Sequence, residues 1–215
     1  VGDEFCEVLA QASLSTAHKT GALRIKDVAK LVVDTTVQEK AITFPTDAKL
    51  YYKALLALGK LAKKQDVKLR QHYRRIGKRT LVMASRYQHA RQMKRAAKSV
   101  RKLKTYLGRV MRDIERKTAG NDQLSKIFLE PLQKAKRIYG QQRHDQNKLY
   151  SWHAPEVECI SKGKAHKPYE FGCKVSVTTT VNPAPAGHFV LHTAALHGRP
   201  YDGHTLNQVI TQTTE

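Results

Sequence analysis

Two stretches with the alternating pattern of β-strands flank about a hundred residues with the three-and-four spacing of helices, so a sheet is begun, interrupted and resumed. That order predicts an α/β (α+β) domain with a large helical insertion rather than a helical tail appended to a sheet. Charge sets the character of the insertion. Between positions 60 and 117 there are 21 Lys or Arg against three acids, Asp66, Asp113 and Glu115, so this segment holds 18 of the 21 net positive charges. The rest of the chain is nearly neutral. Such an asymmetry marks a surface for a polyanion, because every phosphate neutralised releases a condensed counterion without any base being read.

The elements follow in order. A helix over 3–19 stops at Gly21, and a strand over 30–38 is rich in β-branched residues with neither Gly nor Pro, which suits a buried strand. A helix over 46–64 is opened by Thr46 and Asp47 after Pro45. Tyr87, Ala90, Met93, Ala97, Val100, Leu103, Leu107, Val110 and Ile114 then form the apolar stripe of one long helix. Its opposite face carries Arg91, Lys94, Arg95, Lys98, Arg101, Lys102, Lys104, Arg109 and Arg112. A turn over 118–121 leads into a helix over 122–142 with Leu124, Phe128, Leu132, Ala135 and Ile138 on one side and Pro131 as a kink or restart. Residues 46–149 therefore read as an antiparallel helical hairpin or bundle. Tyr169, Phe171, Cys173, Val175 and Val177 alternate with Glu170, Lys174, Ser176 and Thr178, a half-buried strand, and 189–196 returns antiparallel after the loop with Pro183 and Pro185. Asp202 starts a last helix, with Leu206, Val209 and Ile210 as its stripe. The three parts are 1–45, 46–150 and 151–215.

Composition excludes several classes. A chain of 215 residues buries a core without disulfides, and Cys6, Cys159 and Cys173 are odd in number and widely spaced, as expected of reduced thiols in a cytoplasmic protein. No uncharged apolar run approaches the ~20 residues of a bilayer span. Phosphate-binding glycine loops, a nucleophile elbow and the zinc-protease motif are missing from the sequence, so nucleotide hydrolysis, dinucleotide redox and zinc proteolysis lose their usual support.

Asp34 is the acid that stands out. Inside an apolar strand an unpaired carboxylate costs several kcal/mol, unless it is charged for a purpose such as presenting oxygens to Mg²⁺. The competing reading is a strand-end Asp bonded to a neighbouring loop. Asp202 reads mainly as an N-cap. His188 and His192 would lie about 13 Å apart along a strand, too far to share a metal, and read as surface residues. His166, Lys167 and Glu170 suit a phosphate contact or a solvated turn equally, and Tyr73, Tyr87 and Tyr106 suit helix packing more than base stacking.

Six strings resemble a DDE transposase of bacterial insertion sequences. They are Val-Asp-Thr-Thr-Val-Gln-Glu-Lys-Ala-Ile (33–42), Phe-Pro-Thr-Asp-Ala-Lys-Leu (44–50), Lys-Leu-Lys-Thr-Tyr-Leu-Gly-Arg-Val (102–110), His-Ala-Pro-Glu-Val-Glu-Cys-Ile (153–160), Lys-Gly-Lys-Ala-His-Lys-Pro-Tyr-Glu-Phe-Gly (162–172) and Pro-Tyr-Asp-Gly-His-Thr-Leu (200–206). The resemblance implies a partial RNase H-like domain with a basic helical insertion after its first strand. It implies DNA cleavage and strand transfer through Mg²⁺ (or Mn²⁺) held by two Asp and one Glu, with Asp34 at the first of those positions. The implied partners are double-stranded DNA at transposon ends and a second copy of the chain in a homodimer, in the bacterial nucleoid and away from any membrane. Asp202 matches the family's Asp before the last helix, not its second catalytic Asp, so the chain reads as truncated at both ends and as inactive alone. The DNA-holding residues expected are Arg91, Lys94, Arg95, Lys98, Arg101 and Lys102. The alternative is a non-catalytic basic nucleic-acid-binding module, and an RNA-binding protein is a weaker third reading.

Overall fold

Helical spacing and strand alternation are realised in two separate units of the computed structural model, Ala41–Glu158 and Val1–Lys40 with Cys159–Glu215. The structure describes residues 3–161 and 165–214, with side chains over 8–161 and 165–213. The Cys6 side chain and positions 162–164 of the fifth string above lie outside the described residues.

The first unit is a four-helix bundle of α2 (Asp47–Lys64), α3 (Arg74–His89), α4 (Met93–Thr118) and α5 (Asp122–Gly140), after α1 (Asp3–Lys19) and β1 (Leu31–Glu39) of the other unit. Thr46 caps α2, its hydroxyl accepting from the Lys49 amide at 3.4 Å, and Asn121 caps α5, its side chain accepting from the Leu124 amide at 2.9 Å. Each bond satisfies one of the amides a helix start leaves without a partner. Helix α4 packs against the other three. Leu55, Leu58, Leu103, Leu107, Ile114, Phe128 and Ile138 meet in a single core, each 1% exposed or less.

The expected long helix is two. Residues 90–92 form a turn, so Tyr87 belongs to α3 and Arg91 to neither helix. Arg91 takes a φ of 55°, its amide bonds to the Gln88 carbonyl, and the Gln92 amide reaches back to Tyr87 at 2.8 Å. This is the closure that usually ends on Gly, here completed by an arginine, which leaves no residue signal to read. The buried line of α4 accordingly starts with Ala96 and Ser99, while Met93 is 62% exposed and Ala97 is also open. From Leu103 onward it follows the expected stripe. Helix α5 runs on through Pro131.

The second unit is a four-stranded sheet. Strand β3 (Tyr169–Thr180) lies between β1 on one side and β4 (Val190–Leu196) on the other, and the short β2 (Glu158–Ser161), which shows no alternation to read, also borders it. Both long pairings are antiparallel. Strand β1 runs in register from Leu31 opposite Thr180 to Glu39 opposite Gly172, and β4 from Leu196 opposite Lys174 to His192 opposite Thr178 before a bulge. Helix α6 (Asp202–Thr214) packs on β4 and β1. A small cluster of Ala17, Leu23 and Ala184 holds the end of α1.

Strand β3 alternates as read, but its enclosed side is the polar one. Ser176, Thr178 and Thr180 are 2% exposed or less, whereas Val175 and Val177 are only half-buried. Helix α6 is the reason. The Thr178 and Thr213 hydroxyls meet at 3.4 Å, Lys174 donates to the Pro200 carbonyl at 2.7 Å, and the same ammonium is ion-paired with Asp202, the first residue of α6. Among the described residues no helix is long and apolar enough to cross a membrane.

Candidate nucleic-acid interface

Five of the six expected DNA-holding residues, Lys94, Arg95, Lys98, Arg101 and Lys102, lie on the first half of α4, and all five are exposed. Arg91 is exposed as well, but in the turn before the helix. Arg95 is partly held, donating to the Gln92 side chain at 3.1 Å with its guanidinium 5.9 Å from the Tyr87 ring centre. Among the described residues Lys94, Lys98, Arg101 and Lys102 have no ion-pair partner. A helix of 26 residues is about 39 Å long, close to one turn of B-DNA.

Sequence reading missed α3. Arg75, Lys78, Arg79 and Arg86 line one shallow groove on its outer surface with Val82 and Met83. Their three-and-four spacing was visible, but it was masked by assigning Tyr87 to a later helix. The core side of α3 is narrow. Gly77 and Ala84 are buried, and the Tyr52 ring lies 3.2 Å from where a Cβ on Gly77 would stand.

Asp113 was also missed as anything but an offset to charge. It is 5% exposed, and its carboxylate accepts from the Arg70 amide at 2.8 Å, from Arg116 Nη2 at 2.6 Å and from Lys117 Nζ at 3.2 Å. Burial alone would raise its pKa, but the Arg70 amide and the two cations outweigh that and hold it below the ordinary carboxylate value. The acid thus ties the loop over 65–73 to α4. Lys117 adds a bond to the Lys68 carbonyl in the same loop.

The tyrosines pack rather than wait for bases. Tyr73 and Tyr106 stack with ring centres 4.6 Å apart, and the Tyr73 hydroxyl accepts from Arg109 Nη1 at 3.3 Å. Lys167 is ion-paired with Glu39 and lies 3.8 Å from Glu170, the arrangement of a structural turn. His188 Nδ1 lies 3.1 Å from the Thr180 carbonyl, and His192, read as a surface residue, has its Nε2 enclosed without a hydrogen bond.

Asp34 is not buried. It stands exposed on β1, and its carboxylate accepts from the Thr35 amide at 2.8 Å. The half-buried side of β1 is that of Val33, Thr35 and Val37, so the expected enclosure fails because Val32, Asp34 and Thr36 lie on the side that the described residues leave exposed. Register places Asp34 opposite Val177, on the face away from Lys174, which holds Asp202. The two acids therefore belong to opposite faces of the sheet. Among the described residues no three His, Cys, Asp or Glu side chains come together in a group that could hold a metal ion. One exposed carboxylate does not fit a two-metal centre, which needs several oxygen ligands to bridge and neutralise its ions.

The described geometry thus defines a mixed α+β chain whose helical unit presents a dense, mostly unpaired cationic surface. Over 92 residues the chain is 49% identical to "Uncharacterized protein ORF8 in nfe locus" of Rhizobium meliloti. The match covers 43% of this chain and 44% of that relative, so the chain spans less than half of the relative's length. No family model and no solved structure matches.

Proposed function

We propose that the chain holds duplex DNA by its phosphates through the helical unit, as the DNA-gripping part of a DDE transposase. One observation carries this reading. Of the 21 cations between positions 60 and 117, only Arg116 and Lys117 are ion-paired among the described residues, both to Asp113. A solvated face normally interleaves both signs, whereas a face that meets phosphates leaves its cations unneutralised until the polymer arrives. Backbone contacts of this kind position a duplex and carry little sequence information.

The element order supports the transposase reading: a strand bearing Asp34, a basic helical insertion, an antiparallel strand pair and a helix. Metal-dependent hydrolysis and strand transfer belong to the parent family, where Mg²⁺ or Mn²⁺ would supply the activated water. The carboxylates described here do not assemble such a centre, and no catalytic step is assigned to this chain alone. The purified chain is expected not to nick an end-containing duplex in Mg²⁺, and nicking that Asp34→Ala abolishes would refute that expectation.

Fluorescence anisotropy of a labelled duplex across a salt series tests the binding. The logarithm of the affinity should fall linearly with the logarithm of salt, with a slope of about −0.9 per phosphate contacted. Lys94→Ala and Lys98→Ala should each flatten that slope by about one without altering melting. Affinity indifferent to salt would reject the proposal, and equal affinity for unrelated duplex RNA would favour a general nucleic-acid binder.

A further inference from the structure

The described cations are not evenly spread. At the far end of α4 from the expected set, about 27 Å from Lys94 to Arg112 along the helix, four arginines are among the residues that line one cleft of about 510 Å³. Arg109, Arg112 and Arg116 come from successive turns of α4, and Arg70 comes from the loop that Asp113 ties down. Gln71, Tyr73 and Asp113 complete the lining.

We propose that this cleft is an anchoring seat for a phosphate group, built in advance by Asp113 and Tyr73. The inference rests on the polyanion reading above and names the position where the grip is tightest. Asp113 neutralises Arg116, so Arg70, Arg109 and Arg112 are left as like charges around one opening, and an oxyanion relieves their repulsion while accepting the paired N–H bonds that arginine forks present. Asp113 cannot serve as that anion. It is buried, and its oxygens are already engaged by the Arg70 amide, Arg116 and Lys117. The Arg70 and Arg112 guanidinium groups have no ion-pair partner among the described residues.

The seat is also held in shape. Tyr73 has a φ of 50°, a left-handed conformation that a bulky residue adopts at a cost, and its ring is fixed by stacking on Tyr106. Its hydroxyl in turn fixes the Arg109 fork. The same residue sits at the N-cap of α3, so the turn that opens that helix also places the hydroxyl against Arg109. In this arrangement Arg112 binds the phosphate directly, and Asp113 and Tyr73 are positioning residues.

The test uses the full chain, with Arg112→Ala as the main variant because that side chain is exposed and unpaired, so melting should be unchanged. Lys94→Ala is the comparison. Duplex affinity is measured in the salt series, and inorganic pyrophosphate is titrated against the free chain. Arg112→Ala should weaken duplex binding about tenfold or more at low salt, the scale of a lost charge-assisted bond, against about threefold or less for Lys94→Ala. Arg112→Lys should restore the salt slope but not the full affinity, since the charge returns without the planar fork. Duplex binding with equal losses for Arg112→Ala and Lys94→Ala would overturn the seat and leave the general DNA reading standing. Pyrophosphate binding that needs Arg112, with no duplex binding, would keep the seat, assign it to a free anion and reject the DNA reading. Neither ligand binding would reject both.

Discussion

In the helical unit seven large apolar side chains are 1% exposed or less and meet in one core. In the sheet unit the most enclosed positions of β3 are Ser176, Thr178 and Thr180, while Val32, Tyr169 and Val190 are 44–51% open. The contrast runs against expectation, because the unit with the dense positive charge is also the one with the fuller apolar core. Self-repulsion among crowded cations works against compactness, and burial of the Leu, Ile and Phe side chains is the favourable term able to offset it. The nearly neutral sheet unit faces no such demand. It relies more on strand pairing and on hydroxyl and ammonium bonds under α6, each worth about 1 kcal/mol net for the neutral bonds and about 1.5–3 kcal/mol for those of the ammonium.

The sharpest way to break that comparison is to open the helical core. Phe128→Ala should cost about 3–5 kcal/mol, seen as a lower urea midpoint by helical circular dichroism, whereas Val190→Ala should stay within about 1 kcal/mol. Equal losses would show that the two units do not differ in packing. Next in size is Gly172→Ala. A Cβ there would sit 2.0 Å from the Gln38 carbonyl oxygen, so β1 must move away from β3, at a cost of about 2 kcal/mol or more. Amide exchange should speed up across β1 and β3 and stay unchanged in α4, and faster exchange in α4 would contradict the division into two units.

Asp113→Asn tests the polar anchor of the bundle and should destabilise it by about 1–3 kcal/mol. The folded pKa of Asp113 lies below its ordinary value of 3.8. Its contribution is therefore complete above about pH 5 and is lost as the pH falls through the folded value. The wild-type chain should lose stability on acidification more steeply than the Asn variant, and parallel acid curves would remove the anchor. The last effect lies at the other end of the pH scale. Burial first, then Asp47 and Tyr139, push the Tyr51 hydroxyl from 10.0 up to about 12. Stability from Tyr51 is present below pH 10 and declines as the pH rises toward 12, so Tyr51→Phe should flatten the alkaline side of the stability curve. An unchanged alkaline slope would place the titration elsewhere.

Much of the fold could be read directly. The ends of α1 and β3 fall where Gly21 and the alternating run place them, and the Thr46 cap opens α2 as expected. The turn over 90–92 could not be read, because an arginine in the left-handed region looks like any other helix-forming residue. The candidate site was half legible. The exposed cations of the first half of α4 follow from spacing alone, but the cleft joins Arg70 to α4 through a bond spanning 43 positions, which no local window contains.

Charge and periodicity are sums over neighbouring residues, so the sequence by itself determined that this protein has a basic helical segment set between strands. Which side of a strand is enclosed depends on what lies against it. Only the tertiary structure decided that β3 buries its hydroxyls under α6, that Asp34 faces outward, and that Asp113 is a structural anchor rather than one more surface charge. Burial and pairing are properties of contact, and contact is made by chain segments whose separation in sequence carries no trace of their closeness in space.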